Sequence, residues 1–465
     1  MLVVSCRIGA RGRVVRALLL AWLASGLVVG AQARPLTLSD AFDAALKFDG
    51  AYRAAAYERD SSRMNLPLAH AGLLPSLSLS ASSTDVHGSR QFENAVSQDV
   101  RIPVEYNSPQ ASLSLRMPIF NYEALSRYRQ TAAQVEGAEE LFRSRALELA
   151  DRLGTTYLQV LLSHEAVQLA KSELSSFDAQ RNRAQQRIRR GEGTLTEVAR
   201  AESSVDVARV RLLDAYDSLE NARRALRRIT GIDSVELNTL PSDYLPAPLQ
   251  PQALSEWLDL ARMRSPVLRL REQNVEAARL GIERSRAGHL PRVDFVAGVS
   301  RNRNESITSL NQTSVLKSMG IQLNVPLYSG GAVQASIKQA LAEQAKAEEE
   351  LRIEREGIEV EIQRQHQAVI HGTDKIAANR RVVASSETAL LGATRALEAG
   401  LGTTADVLDA QARLSLAQRD LVQARYELLA NRLRLMTIAG MPVNDTVSDL
   451  DRLLTVNSIL NRSHP

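Results

Sequence analysis

The chain is written twice, and that doubling limits its fold more than any other feature. AGLLPSL at 71–77 returns as AGHLPRV at 287–293, and LSDAF at 38–42 returns as LSEWL at 254–258, both at an offset of 216. Met117-Pro118-Ile119-Phe120 returns as Val325-Pro326-Leu327-Tyr328 at 208, and Gly191, Gly193, Thr194 and Val198 return as Gly400, Gly402, Thr403 and Val407 at 209. Eight residues are missing from the second copy ahead of its proline, and one is regained at Gly330-Gly331. A repeat of this length is a whole supersecondary unit, so the fold must be one that two similar units can share.

Within each unit the hydrophobic period changes from helix to strand and back. Val293, Phe295, Ala297 and Val299 alternate, and Met319, Ile321, Leu323, Val325 and Leu327 alternate against Gly320, Gln322 and Asn324; Leu77, Leu79, Leu113 and Leu115 repeat the pattern more weakly. Such runs suit tilted strands that cross a bilayer. The stretches between them, 83–110 and 301–317, are polar, rich in Ser and Asn, and read as surface loops that absorb the eight-residue difference. Proline-free runs at 121–187 and 331–398 predict helices of roughly 100 Å. Beyond each glycine turn a 3-4-3-4 seam runs from Val198 through Ala201, Val205 and Ala208 to Ile229, and from Val407 through Ala410, Leu414 and Ala417 to Ile438. This is a coiled-coil pattern, with Asn431 as its polar exception. Helices at 38–70 and 254–286 are about half-length and, stacked on those at 195–230 and 404–438, match one long helix. The units are therefore 34–231 and 253–440. A connector at 232–252, holding Pro241, Pro246, Pro248 and Pro251, joins them, and an irregular tail follows at 441–465.

Residues 1–33 read as a secretory signal: Arg7, Arg11, Arg13 and Arg16 precede the apolar run at 17–30, and Ala31-Gln32-Ala33 supplies the cleavage site. Removing it takes four arginines and no acid, so the formal net charge falls from +4 to zero and nothing favours nucleic acid as a partner. Cys6, the single cysteine, goes with it, which excludes disulfides, thiolate-held metals and a cysteine nucleophile from the mature chain. Aromatic residues make up only 4% of the chain, a composition suited to long helices rather than to several compact cores. No later run approaches 18 apolar residues, so any membrane crossing must use strands. HExxH, GxSxG, Walker and dinucleotide patterns are missing, and His366 with His371 lacks the spacing of a helical metal pair and reads as surface histidines. The expectation is a non-enzyme without cofactor or metal.

Four strands cannot close a barrel, and an open edge in lipid leaves backbone groups unpaired at several kcal/mol each. Two copies supply eight strands and three supply twelve. The arithmetic does not choose, although only the wider barrel leaves a lumen. The doubled unit, the signal, the strand ends at Pro118 and Pro326, and above all AGLGTTADVLDAQ (399–411) followed by ARYELLANRLRL (424–435) resemble the TolC family of outer-membrane export ducts. The resemblance covers essentially the whole mature chain. It implies a mixed α/β membrane protein of a Gram-negative outer membrane: a homotrimer whose four strands per chain make a twelve-stranded barrel, joined to a periplasmic coiled-coil tunnel. The connector and tail would form an equatorial belt. It also implies an inner-membrane ABC transporter, a periplasmic adaptor protein and an exported protein cargo as partners. The missing lipidation cysteine is more like the type I secretion branch, serving proteins such as repeat-in-toxin cytolysins, than like drug-efflux ducts. A multidrug efflux duct is the alternative within the class, and a periplasmic coiled-coil scaffold or adaptor the alternative outside it.

The candidate site residues cluster at the two glycine turns. Asp406 and Asp409 lie i, i+3 on one helix face where the first copy has Glu197 and Arg200. Acids suit a helix start; the resemblance implies instead an acidic lumen constriction. It further implies an entrance latch, of which the carboxylate survives as Glu197 while the arginine aligns with Gly402 and the tyrosine with Leu397. The basic run at 181–190 ends at Arg187, Arg189, Arg190 and Gly191. These cations either complement the helix dipole or, together with Gly400 of the second turn, meet the adaptor at the tip.

Overall fold

The computed structural model describes residues 36–93, 98–233, 236–241, 244–304 and 312–454; the expected signal at 1–33 lies outside them. The chain is mostly helical with one four-stranded antiparallel sheet, ordered β1-β2-β3-β4. The first unit comprises α1 (Leu38–Phe48), α2 (Gly50–Ala71), β1 (Ser76–Glu93), β2 (Asp99–Phe120), α3 (Tyr122–Arg189) and α4 (Leu195–Thr230). The second comprises α5 (Leu254–Arg264), α6 (Pro266–Arg286), β3 (Arg292–Asn304), β4 (Gln312–Asn324), α7 (Ala332–Glu398) and α8 (Thr404–Ile438). A last helix, α9 (Val443–Leu453), follows.

The long helices stand where the proline-free runs predict them, and the seam helices begin and end at the expected residues. Four expectations are corrected. Each half-length helix is broken once, at Asp49 and at its repeat-mate Ser265, which share φ −61° and ψ near 118°. The causes differ locally. Asp49 turns its carboxylate to accept from the Tyr52 N–H at 2.8 Å, starting a new helix, whereas Pro266 forces the break at Ser265 and takes the first helical position.

The second correction concerns 83–110, expected as a loop. Nearly all of it is strand: β1 and β2 pair without a register shift from Ser76↔Arg116 to Glu93↔Asp99. β3 leaves β2 at Gln110↔Asn302, so eleven rungs of the first hairpin stand beyond the sheet as a two-stranded ribbon. Pro103 and Pro109 fall in that ribbon, where β2 has no third strand beside it and a missing N–H costs no ladder bond. Among the described residues the second hairpin is paired as far as Asn304↔Gln312.

Third, the tail is not irregular throughout. On α9, Val447 and Leu450 are buried against Leu38, Phe42, Leu149, Leu153 and Leu429, in a core at the middle of α3 that also takes Leu237, Leu240 and Tyr244 from the connector. The Asp451 carboxylate accepts from the Leu38 N–H at 3.0 Å and the Ser39 hydroxyl at 2.8 Å, capping α1 from the other end of the chain. Tyr157 fixes the connector: its hydroxyl donates to the Leu36 carbonyl at 2.8 Å and accepts from the Asn238 N–H at 3.1 Å. His366 is also reassigned, from surface to interior; it is 6% exposed, with Nε2 3.0 Å from the Gln252 carbonyl of the connector. A second core joins Trp257, Ile362, Val369, Ile376, Leu428 and Leu435.

The two units are unequally covered. Among the described helices, α3 packs against α2, α4, α6 and α8, whereas α7 packs chiefly against α5, α6 and α8. In consequence α7, with 67 residues, buries only Ala340, Ile362, Gln365, His366, Val369 and Ile376.

Candidate functional site

Each long helix ends at the tip in the same motif. Gly191 and Gly400 both take φ +75°, a left-handed conformation that glycine adopts without Cβ strain. The Glu192 N–H then donates to the Arg187 carbonyl at 2.9 Å and the Gly191 N–H to Ile188 at 3.0 Å; Leu401 to Ala396 at 2.8 Å and Gly400 to Leu397 at 3.1 Å repeat the pair. The second glycine has a different reason. A Cβ on Gly193 would stand 3.2 Å from the Ile188 nitrogen, and one on Gly402 3.1 Å from the Ala396 Cβ, so both turns fold onto the helix they have just left. Gly402, where the resemblance implies a latch arginine, is thus packed against its own helix end.

Thr194 and Thr403 next cap the returning helices. The Glu197 N–H donates to the Thr194 hydroxyl at 3.3 Å and the Thr194 N–H donates back to Glu197 at 3.3 Å. The Asp406 N–H donates to the Thr403 hydroxyl at 3.2 Å, while the Thr403 N–H and hydroxyl donate to Asp406 Oδ2 at 2.8 and 2.7 Å. These two bonds hold the Asp406 carboxyl below the usual aspartate range. Glu197 and Asp406 are therefore matched capping acids, and the difference between the copies lies elsewhere. Asp409 replaces Arg200 one turn on, and Glu398 replaces Arg189 in the turn before. Both members of the Asp406 and Asp409 pair are exposed.

The basic turn is tied to the acidic one within the chain. Arg187 Nη1 lies 3.4 Å from the hydroxyl of Thr404, which is 3% exposed, and its Nη2 donates to the Glu192 carbonyl at 3.2 Å. Arg190 pairs with Glu192 at 3.2 Å, and Arg181 with Asp178 at 3.1 Å. Leu408 is buried with Phe177, Ala184, Ala201 and Ala208 of the first unit. Sequence reasoning missed this junction. Its signal is a second apolar row on α8 (Leu408, Val422, Tyr426, Leu429, Leu433 and Met436), which the expected seam does not use. The same positions on α4 begin with Ala199 and continue through Leu213, Asp217, Glu220, Arg224 and Arg227. Among the described residues no group of three or more His, Cys, Asp or Glu is placed to hold a metal, and no helix is long and apolar enough to cross a membrane.

Residues 42–232 and 257–441 match the family model described as outer membrane efflux protein. The chain is similar to Proteases secretion protein PrtF of Dickeya chrysanthemi, 32% identical over 419 residues that span 88% of this chain and 89% of that one. It is similar to Alkaline protease secretion protein AprF of Pseudomonas aeruginosa at 31% over 431 residues, spanning 91% and 89%. Outer membrane protein TolC of Escherichia coli is 26% identical, spanning 88% and 82%. Among solved structures, the outer membrane protein VceC of Vibrio cholerae superposes with a TM-score of 0.73 at 19% identity, covering 87% of this chain and 96% of that one. The MtrE outer membrane channel of Neisseria gonorrhoeae gives 0.70 at 18%, covering 88% and 90%.

Proposed function

We propose, from the premise that this chain belongs to the outer membrane efflux protein family, that three copies form the outer-membrane duct of a type I secretion system, a twelve-stranded barrel continued by a periplasmic helical tunnel. The observation that carries ring closure is the uncovered flank of α7. Between units of one chain, α3 meets α6 and α8 while β2 meets β3. The same contacts advanced by one unit would set α7 against α2 and α4 of the next copy, and β4 against its β1. Each of those surfaces is open here: α2 buries only Ala55, and β1 and β4 are the sheet edges. A contact that joins different surfaces head to tail closes into a ring when its rotation divides a full turn.

The sheet supports the same reading. One face carries Leu77, Leu79, Leu113, Leu115, Phe295, Ala297, Ile321 and Leu323; the other carries Ser76, Ser78, Ser80, Ser112, Ser114 and Gln322. Serine hydroxyls pair across the second face, Ser78 with Ser114 and Ser80 with Ser112, both at 2.7 Å. Apolar outside and polar inside is the pattern of a lipid-facing barrel with a wet lumen. The duct does no chemistry of its own. It works with an inner-membrane ABC transporter and a periplasmic adaptor, the latter meeting the turns at Gly191 and Gly400, and Asp406 with Asp409 forms the acidic constriction. PrtF and AprF are protease secretion proteins by name, which points to secreted proteases as cargo, in place of a cytolysin.

Deleting the gene tests the proposal: the protease is still synthesised but remains cell-associated, while drug susceptibility is unchanged. Normal protease secretion together with new drug sensitivity would move the assignment to efflux.

A further inference from the structure

We propose that the first hairpins of the three copies converge beyond the membrane, their apolar faces packing on one another as a cap over the barrel mouth. The inference rests on the threefold barrel proposed above. In the part of β1 and β2 nearest the helices the outward face is apolar and the inward face is lined with serine. Register then continues without a bulge into the ribbon, so every side chain keeps its side, yet the chemistry reverses. On the inward side of the ribbon stand Val86 opposite Tyr106, Gly88 opposite Val104, Arg90 opposite Ile102 and Phe92 opposite Val100.

The outward side becomes polar and is stitched across the strands. Ser89 takes an Arg101 N–H at 2.9 Å, Gln91 donates to Asp99 at 3.1 Å, Asn107 bonds Asp85, and His87 faces Glu105 at 3.5 Å. A ribbon held by its polar face and apolar on the other needs a cover on that other face. In a ring, what lies across the axis from each inward face is the same face of another copy.

Reach is sufficient. Twelve strands about 4.8 Å apart and tilted near 40° give a backbone radius of about 12 Å. Eleven rungs extend about 37 Å, three times that distance. Among the described residues the second hairpins pair for two rungs past the sheet, against eleven for the first. Arg90, the one charged residue on the inward side, has a stem long enough to carry its guanidinium past the ribbon edge into water.

The mature chain has no cysteine, so the test uses single introduced thiols in the full-length, membrane-inserted protein with a short bismaleimide. Val104→Cys is expected to join copies to each other, and Glu105→Cys, one residue along on the outward side, is not. Replacing Val86, Val104 and Tyr106 together by Ser is expected to raise single-channel conductance in planar bilayers at least twofold. An intact trimer in which Val104→Cys stays unlinked, links no better than Glu105→Cys, or links only to cargo in transit would overturn the cap and leave the barrel standing. A monomer by native mass measurement removes the barrel and the cap together.

Discussion

Asp406 and Glu197 occupy one position of the repeat and perform one local task, so the proposed constriction is better assigned to Asp409 than to the pair equally. Asp409→Ala removes three of six carboxylates from a threefold entrance without disturbing a cap, and cation preference in planar bilayers at low salt is expected to fall roughly two- to threefold. Asp406→Ala takes the same charge but also loosens the start of α8, which amide exchange at Thr403 and Ala405 would report; equal behaviour of the two variants in both measurements would argue against this division. A second residue-scale consequence lies at the junction of the units, where the Tyr426 hydroxyl donates to Glu165 at 2.5 Å. Burial raises the Glu165 carboxyl, opposed by that bond and by Arg425, and burial also pushes the Tyr426 phenol up. A carboxyl whose folded pKa is raised contributes stability at low pH that is lost as pH rises through the folded value. Tyr426→Phe removes the donor to the charged form, so it is expected to cost about 1.5–3 kcal/mol near pH 7. That cost shrinks near pH 5, a difference that thermal unfolding at the two values checks.

At the scale of elements, the units predict their own interface. Ala133 of α3 packs with Ala277 and Leu280 of α6. One unit on, the repeat offsets carry these to Ala342 of α7 facing Ser61 and Met64 of the next copy's α2. Met64 is 58% exposed within one chain. Ala342→Cys combined with Met64→Cys or Ser61→Cys is therefore expected to link copies, while either cysteine alone is not. The helices themselves were legible in the sequence because a 3-4 seam and the absence of proline over 67 residues are local signals. The glycine turns were legible for the same reason. The ribbon was not: with apolar residues confined to the face opposite the one used in the membrane, the alternation changes sides near Ser82 and reads as a loop. α9 was hidden because one turn of apolar residues, Val447 and Leu450, gains meaning only from the core it caps. The junction at Leu408 depended on a partner more than two hundred residues away.

At the scale of the whole molecule, ring closure is expected to give a trimer by native mass measurement in detergent and no folded, inserted monomer, since four strands leave two open edges. The wall of the tunnel would not be uniform. Within a chain α3 meets α8 along the greasy row of Leu158, Leu161, Tyr426, Leu429 and Leu433. The contact one unit on would bring the α7 positions Gln363, Gln367, Ile370 and Asp374 toward the α4 row that includes Asp217, Glu220 and Arg224. Three oiled joints would then alternate with three wet ones around the circumference. The wet joints loosen at lower cost because water can replace what separates, whereas parting an oiled joint exposes apolar surface at about 25 cal/mol per Å². Dilation under load would concentrate at three lines, and its compliance would fall with ionic strength as the repulsion between Asp374 and the facing Asp217 is screened. Bursting the assembly into single chains would leave each oiled joint intact.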